Sequence, residues 1–176
     1  RGKKVLLAGA KGFLGRYFNE IISRYNIEND IKISLTSIDN FISSNFIVNT
    51  GEVYESSIKF IEADICDKIF VNKFNSFDYI IHAAGIASPY YYRSKPLETV
   101  DVSVLGTRNL LDLSNKFRCK FIFFSSSEIY GDPDKLNVPT KESYRGNVSS
   151  LGPRACYDES KRLGETISTI FYHKFD

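Results

Sequence analysis

Tyr157 and Lys161 are the residues whose types and spacing most clearly suggest chemistry, since they stand four positions apart in a segment with a helical pattern. This spacing places both side chains on one face of a helix, one turn apart. A tyrosine has an ordinary pKa of about 10, and a neighbouring ammonium favours its phenolate form. The pair therefore predicts a tyrosine that acts as a base near neutral pH. Taken alone, the same spacing also fits a helix with no catalytic role.

A run of hydroxyls and one carboxylate follows the last predicted strand before that helix, at Ser125, Ser126, Ser127 and Glu128. Ligands of open α/β sheets bind at the carboxyl ends of the strands. A hydroxyl at this edge could hydrogen-bond the substrate oxygen that Tyr157 deprotonates, and Glu128 could act as a second acid or base. The alternative is a serine-rich turn that only ends the strand, and the order of the motifs along the chain favours the catalytic interpretation.

A glycine loop follows the first predicted strand, with Gly9, Gly12 and Gly15 in a G-x-x-G-x-x-G spacing before an amphipathic helix. Gly9 permits a tight turn, Gly12 lets the backbone approach a pyrophosphate at the helix N-terminus, and Gly15 lets helix and strand pack closely. We expect Phe13 and Leu14 to join the cofactor contacts. The loop predicts a dinucleotide site, although a glycine loop without a ligand has the same spacing.

An acid at the end of the second predicted strand supports this interpretation. Asp39 follows Gly15 by about two dozen residues, near the roughly 20-residue offset of a ribose-binding carboxylate. It predicts NAD rather than NADP, since a carboxylate accepts hydrogen bonds from the ribose hydroxyls but repels a 2′-phosphate, and no arginine stands beside it. Further predicted cofactor contacts are Asn40, Ile65 and Asp64, the last towards the adenine amino group.

The elements that must position these residues alternate between short apolar runs and longer helical patterns. The predicted strands are 5–8, 33–38, 60–62, 79–83 and 121–124, and the predicted helices are 14–25, 97–117 and 155–173. The strands near Ile80 and Ile122 are continuously apolar, as expected for parallel strands covered on both faces. The pattern predicts one α/β domain over residues 1–176, a Rossmann-type doubly wound parallel sheet. Two polar connections, 40–57 and 131–153, are predicted to be loops.

Composition and charge restrict the classes of partner. The chain of 176 residues is 43% hydrophobic and carries 23 basic and 21 acidic residues without a basic block. Neither nucleic acid nor a membrane is therefore expected as a partner, and small molecules are. Cys66, Cys119 and Cys156 are isolated and odd in number, which indicates neither a disulfide framework nor a metal site. A reducing cytoplasm fits this cysteine usage.

Taken together, the ordered motifs resemble those of the extended short-chain dehydrogenase/reductase family over essentially the whole chain. The landmarks that carry this resemblance are residues 9–15, 82–85, 125–131 and 157–161. Within the family, residues 126–133 and 152–162 look most like the UDP-glucuronate decarboxylase subgroup, as do Ala87, Ser88 and Pro89 followed by Tyr92 and Pro96. The chain departs from that subgroup at residues 83–86 and at Ser103, where the family commonly has asparagine.

The resemblance implies a role for each matching residue. Tyr157 would be the catalytic base, Lys161 its electrostatic partner and a ribose ligand, Ser126 the hydroxyl donor and Glu128 the decarboxylase carboxylate. The related 4,6-dehydratases carry an acid at the position of Ser127, which counts against that activity. The remaining implied contacts are Ala83 and Ala84 with the cofactor, and Ser88, Tyr92, Ser127 and Arg154 with the substrate.

The implied function is NAD-dependent decarboxylation of UDP-glucuronate to UDP-xylose through a 4-keto intermediate. A nucleotide-sugar 4-epimerase or 4,6-dehydratase shares the first oxidation and stays an alternative, as does a non-catalytic dinucleotide-binding module. Family members continue into a C-terminal substrate domain, so we expect residues 1–176 to be incomplete and inactive alone. The resemblance also implies a homodimer of the full-length protein through the 97–117 and 155–173 helices.

Overall fold

A five-stranded parallel sheet forms the centre of the fold in the computed structural model, which describes residues 2–44 and 58–175. The strand order is β3-β2-β1-β4-β5, so the chain crosses from one side of β1 to the other after β3. This is the doubly wound Rossmann-type sheet predicted from the sequence, and it puts the carboxyl ends of β1 and β4 side by side. The strands are β1 (Lys4–Ala8), β2 (Ser34–Asp39), β3 (Ile58–Glu62), β4 (Tyr79–His82) and β5 (Lys120–Phe123).

Helices connect the strands and cover both faces of the sheet. They are α1 (Phe13–Glu28), α2 (Lys68–Val71), α3 (Pro89–Ser94), α4 (Pro96–Asp101), α5 (Thr107–Phe117) and α6 (Ala155–Phe175). A π-helical segment, Val102–Gly106, joins α4 to α5, and short 3₁₀ turns occupy Ser127–Tyr130 and Lys135–Asn137.

Alternate residues of each strand pack into two separate cores, one on each face of the sheet. Leu6 and Ile80 pack on the face that Leu110 of α5 covers. Leu7 and Ile81 point to the opposite face, which α1 covers. Because both faces are buried, successive strand residues are apolar, which accounts for the continuous apolar runs in the sequence.

The structure refines the predicted connections. The single helix predicted for 97–117 is interrupted by the π-helical segment, and the short helices α2 and α3 were not predicted. The 131–153 connection is largely irregular as predicted, with one 3₁₀ turn and a bridge between Gly131 and Asn147. Of the predicted 40–57 loop, residues 45–57 lie outside the described residues. Within the described ranges, no helix combines the length and apolar character needed to span a membrane.

Candidate active site

The glycine loop lies between the ends of β1 and β4, as the dinucleotide motif requires. Gly9 has a positive φ of 83°, and a Cβ there would come within 2.6 Å of the backbone of Ala83 and Ala84. A Cβ on Gly15 would overlap the backbone of Gly9 and Ala10, so a glycine at this position lets α1 pack closely on the loop. Gly12 is the N-cap residue just before α1, and it has no side chain to bond the amides of the first turn. Those amides can therefore donate hydrogen bonds to a bound anion.

Asn19 supports this loop from the buried side of α1. Its side-chain amide donates to the carbonyls of Ala10 at 2.9 Å and Gly15 at 3.0 Å. Its oxygen accepts a bond from the hydroxyl of Ser37 on β2 at 2.6 Å. The sequence analysis missed Asn19; the available signal was a polar residue on the apolar face of an amphipathic helix.

A cleft opens next to the loop along the carboxyl edge of the sheet. Eight predicted cofactor residues line it: Gly9, Gly12, Asp39, Asn40, Asp64, Ile65, Ala83 and Ala84. Unpredicted lining comes from residues such as Ser44, Ile86 and Val102. Phe13 and Leu14, which were also predicted to contact the cofactor, are not among its lining residues, and they are 78% and 41% exposed.

Asp39 lies at the edge of the cleft and already accepts several hydrogen bonds. One carboxylate oxygen accepts the backbone amide of Lys11 at 2.8 Å. The other accepts the amide of Phe41 at 2.8 Å and the hydroxyl of Ser44 at 3.1 Å. These bonds fix the carboxylate at the position where the motif places the adenosine ribose. Asp64 lies nearby and bonds the side chain of Asn40 at 3.2 Å.

Tyr157 and Lys161 are both buried on α6, one turn apart as predicted. The Tyr157 ring stacks on Tyr92, with centroids 5.6 Å apart and planes 14° apart. The Lys161 ammonium donates to the carbonyl of Phe124 at 2.8 Å and lies 4.8 Å from the centroid of the Phe123 ring. Burial lowers the pKa of Lys161 to about 8. With this pKa the side chain still carries its charge at pH 7, so the ammonium can stabilise a nearby anion such as a phenolate.

Three contacts, two from α6 and one from the residue just before it, hold the serine-rich turn near Tyr157 and Lys161. Lys161 bonds Phe124 at the end of β5, and Arg162 donates to the carbonyl of Ile129 at 2.7 Å. Arg154, just before α6, forms an ion pair with Glu128. Between these contacts, the hydroxyl of Ser126 accepts the backbone amide of Glu128 at 3.3 Å and begins the 3₁₀ turn. The four residues predicted as catalytic are thus assembled at one edge of the sheet.

Arg154, predicted as a substrate contact, lies between two carboxylates of the chain itself. Besides Glu128, its guanidinium lies 3.5 Å from a carboxylate oxygen of Asp158. Burial raises the pKa of Asp158, and the charge of Arg154 opposes that rise. Arg154 therefore reaches a substrate only by sharing or leaving these partners.

Of the other predicted substrate residues, the structure brings only Tyr92 into contact with Tyr157. Tyr92, on α3, is buried against it, whereas Ser88 and Ser127 are exposed. Ser88 precedes α3, and its carbonyl accepts the amide of Tyr92 at 2.9 Å. Ser127 is the first residue of the 3₁₀ turn that follows β5.

His82, at the end of β4, is a packing residue as its place after a buried strand indicated. It is fully buried, and burial together with the charge of Lys161 lowers its pKa to about 3. Its Nε2 lies 3.1 Å from the hydroxyl of Thr107, which donates to the carbonyl of Ser103 at 2.6 Å. A neutral imidazole held in this way joins β4 to the π-helical segment.

Comparison with known proteins gives a family and several relatives. A model of the NAD dependent epimerase/dehydratase family matches residues 5–175. UDP-glucuronic acid decarboxylase 2 of Arabidopsis thaliana is 34% identical over 99% of this chain and 36% of its own length. UDP-glucuronic acid decarboxylase 1 of Danio rerio is 32% identical over 94% of this chain and 37% of its own. The chain thus spans little more than a third of these relatives.

Solved structures of low sequence identity share the fold. UDP-glucose 4-epimerase of Thermotoga maritima, solved with UDP-glucose, has a TM-score of 0.75 at 24% identity over 98% of this chain and 52% of its own. The Bordetella bronchiseptica enzyme WbmH, solved in complex with NAD⁺, has a TM-score of 0.76 at 20% identity over 97% and 53%. The Rossmann-type arrangement around the cleft is common to all three chains.

Proposed function

Because the chain belongs to the NAD dependent epimerase/dehydratase family, we propose that the protein decarboxylates UDP-glucuronate to UDP-xylose. NAD, the predicted cofactor, is the cofactor of this family. The observation that carries the proposal is that contacts from α6, and from Arg154 just before it, bring Tyr157, Lys161, Ser126 and Glu128 to the same edge of the sheet. Curated relatives at 32–34% identity are named for this activity, which favours it over the other reactions of the family.

The residues of the cleft fit a dinucleotide. The first turn of α1, which no side chain caps, suits a pyrophosphate, and Asp39 suits the adenosine ribose. Lys161 lies where it can exchange its bond to the Phe124 carbonyl for a bond to the nicotinamide ribose. When bound, NAD supplies the acceptor and later the donor of a hydride. Residues 1–176 would then form the NAD-binding domain, and a C-terminal part would hold most of the substrate.

The proposed chemistry begins with Tyr157. Its phenolate takes the proton of the sugar 4-hydroxyl while the hydride leaves carbon 4, and the Lys161 ammonium stabilises that phenolate. The product is a ketone β to the carbon 5 carboxylate, and the carbon–carbon bond to that carboxylate breaks to release carbon dioxide. Hydroxyls of Tyr157 and Ser126 donate to the enolate oxygen that forms.

Glu128 is the proton donor for the second proton transfer of the proposed mechanism. Glu128, the ionised partner of Arg154, first takes a proton from solvent and then gives it to carbon 5, where the electron pair of the enolate forms the new C–H bond and Glu128 returns to its ionised form. The hydride then returns to carbon 4, and Tyr157 gives back its proton, so oxidant and base are both regenerated. The ion pair with Arg154 places Glu128 on the side of the turn next to α6.

A 4-epimerase is the second candidate, since it shares the first oxidation and needs no carboxylate chemistry. Residues 83–86, Ala-Ala-Gly-Ile, favour it because they resemble the epimerases and dehydratases more than the decarboxylases. A 4,6-dehydratase is disfavoured because Ser127 supplies no acid for the loss of water.

For the full-length protein we also propose a homodimer in the cytoplasm, with α5 and α6 at the interface. Leu163 and Ile170 are exposed on α6, where they could take part in that interface.

The test uses the full-length protein with NAD and UDP-glucuronate, and mass spectrometry of the sugar nucleotide. Loss of 44 mass units, the mass of carbon dioxide, with a pentose product is the expected result, and Tyr157→Phe should abolish it without loss of NAD binding. Tyr25→Phe, on an exposed tyrosine of α1, is the matched control and should keep turnover. Unchanged or merely epimerised UDP-glucuronate would refute the decarboxylase proposal and favour the epimerase.

A further inference from the structure

The two carboxylates that share Arg154 differ in burial. Nη2 of Arg154 pairs with the Glu128 carboxylate, and its Nε lies 3.5 Å from Oδ2 of Asp158. The Glu128 side chain is 37% exposed, whereas the Asp158 side chain is 10% exposed. Water and salt weaken the pair with Glu128, so that pair is easily broken. A pair with the more buried Asp158 would be screened less.

Asp158 has acceptor capacity that its present contacts do not use. Its Oδ1 is buried, and no donor among the described residues reaches it. Its Oδ2 contacts Arg154 at 3.5 Å, which is longer than a charge-assisted hydrogen bond of roughly 2.7–2.9 Å. A buried acceptor without a donor is costly, and its presence in a native structure calls for an explanation.

The guanidinium of Arg154 can satisfy both oxygens of Asp158 at once. Nε and Nη2 form one side of a planar fork, and this fork matches the two oxygens of a carboxylate. Nε already faces Oδ2 of Asp158, while Nη2 is engaged by Glu128. Release of Glu128 therefore frees Nη2 to bond Oδ1 of Asp158, the oxygen that lacks a donor.

We propose that Asp158 is a positioning residue that takes Arg154 over from Glu128 while Glu128 carries the proton for carbon 5. The inference rests on the proposed function, in which Glu128 must first take that proton from solvent. A guanidinium held on Glu128 favours the ionised carboxylate and opposes this step. With Arg154 on Asp158, Glu128 is released to bind the proton. Once the proton has passed to the enolate, the ionised Glu128 attracts Arg154 again.

The charged groups around Asp158 determine the controls that this proposal needs. Arg154 and Glu159 both act on the Asp158 carboxylate, and Glu159 itself lies 3.7 Å from Arg162. Glu128, on the turn after β5, faces Asp158 across the Arg154 guanidinium. A direct effect of the Asp158 charge on Glu128 must therefore be separated from an effect that runs through Arg154.

The experiment measures kcat and KM for UDP-glucuronate against pH, using the full-length protein with NAD. The test variant is Asp158→Asn, which keeps the shape of the side chain and removes the second anion. Its kcat should match the native value within about twofold at low pH, where solvent readily supplies the proton. On the alkaline side its kcat should fall at a pH about one unit lower, a loss of about tenfold, while KM and NAD binding change less than about twofold. The matched control is Asp30→Asn, an exposed aspartate between α1 and β2, which should keep the native profile.

Two variants of Arg154 show whether Asp158 acts through the arginine. Arg154→Lys keeps the charge without the fork, and it should shift the alkaline fall of kcat as Asp158→Asn does. In a double-mutant cycle, Asp158→Asn should change kcat less than about twofold at any pH once Arg154→Gln is present.

Three results would overturn the inference while leaving the decarboxylase activity in place. One is a native pH profile in Asp158→Asn or Arg154→Lys. Another is an equal effect of Asp158→Asn with and without Arg154, because Asp158 would then act on Glu128 through space. The third is an equal loss of kcat at every pH or a loss of NAD binding, because Asp158 would then only support α6. Absence of decarboxylation by the native protein would instead refute the proposed function, and this inference with it.

Discussion

Replacing Lys161 by methionine should stabilise the protein below pH 8 while removing a residue of the proposed mechanism. Lys161 is 4% exposed, and burial lowers its pKa from 10.5 to about 8. At about 1.4 kcal/mol for each pKa unit, folding with a charged Lys161 costs about 3 kcal/mol. Methionine fills similar space without charge, but it leaves the Phe124 carbonyl without its donor at a cost of about 1 kcal/mol. We therefore expect Lys161→Met to gain about 2 kcal/mol at pH 7.

The pH dependence gives this prediction its sign. Between pH 8 and 10.5 the unfolded chain holds a proton on Lys161 that the folded chain has released, so the stability of the native protein rises with pH across this window. Below pH 8 both states are charged and the full cost is present. The advantage of Lys161→Met should therefore be constant below pH 8, shrink above it, and reverse between about pH 9 and 10, where the remaining cost of burial falls below that of the lost hydrogen bond.

The assay is urea unfolding of both proteins at a series of pH values from 7 to 10, with the difference in free energy of unfolding plotted against pH. Subtracting the two curves removes the contribution of every other titrating group. Lys73→Met, on an exposed lysine, is the control and should give a flat, small difference. A difference for Lys161→Met that does not depend on pH, or a loss of stability at pH 7, would refute the argument from burial.

Three further predictions concern the loop and the ion pair. Gly15→Val should lower the free energy of unfolding by about 3 kcal/mol or more, since the valine side chain would overlap the loop backbone. In Gly12→Ala the new methyl group meets one oxygen at 3.3 Å, so this variant should lose much less stability in the same urea titration. Asn19→Ala should cost about 3 kcal/mol in thermal unfolding, because it leaves buried polar partners unpaired; a loss under about 1 kcal/mol would contradict this. Arg154→Met should raise the pKa of Asp158 further in a carboxyl NMR titration, and an unchanged pKa would show that Arg154 does not oppose the burial.

The sheet and the glycine loop could be predicted because their signals are local. The continuous apolar runs around Ile80 and Ile122 reflect burial on both faces, which neighbouring residues reveal together. The glycine spacing from Gly9 to Gly15 predicts which positions need unusual backbone conformation or close packing. The structure has a positive φ at Gly9 and close packing at Gly15, as that spacing predicts.

Side-chain partners could not be predicted, because they depend on residues far apart in the chain. Nothing local to Tyr157 shows that Tyr92 stacks on its ring, and nothing near Arg154 shows that Glu128 is its partner. The π-helical segment at 102–106 was also invisible, since one extra residue per turn barely alters an apolar pattern.

The most direct test of the account follows a deuterium at sugar carbon 4 of UDP-glucuronate through the full-length protein. The proposed mechanism removes this hydride, uses the ketone to lose carbon dioxide, and returns the same hydride to the same carbon. The account predicts a UDP-pentose that retains the deuterium at carbon 4 and carries one solvent-derived hydrogen at carbon 5. A pentose without the deuterium, or a recovered sugar acid with no loss of carbon dioxide, would contradict it.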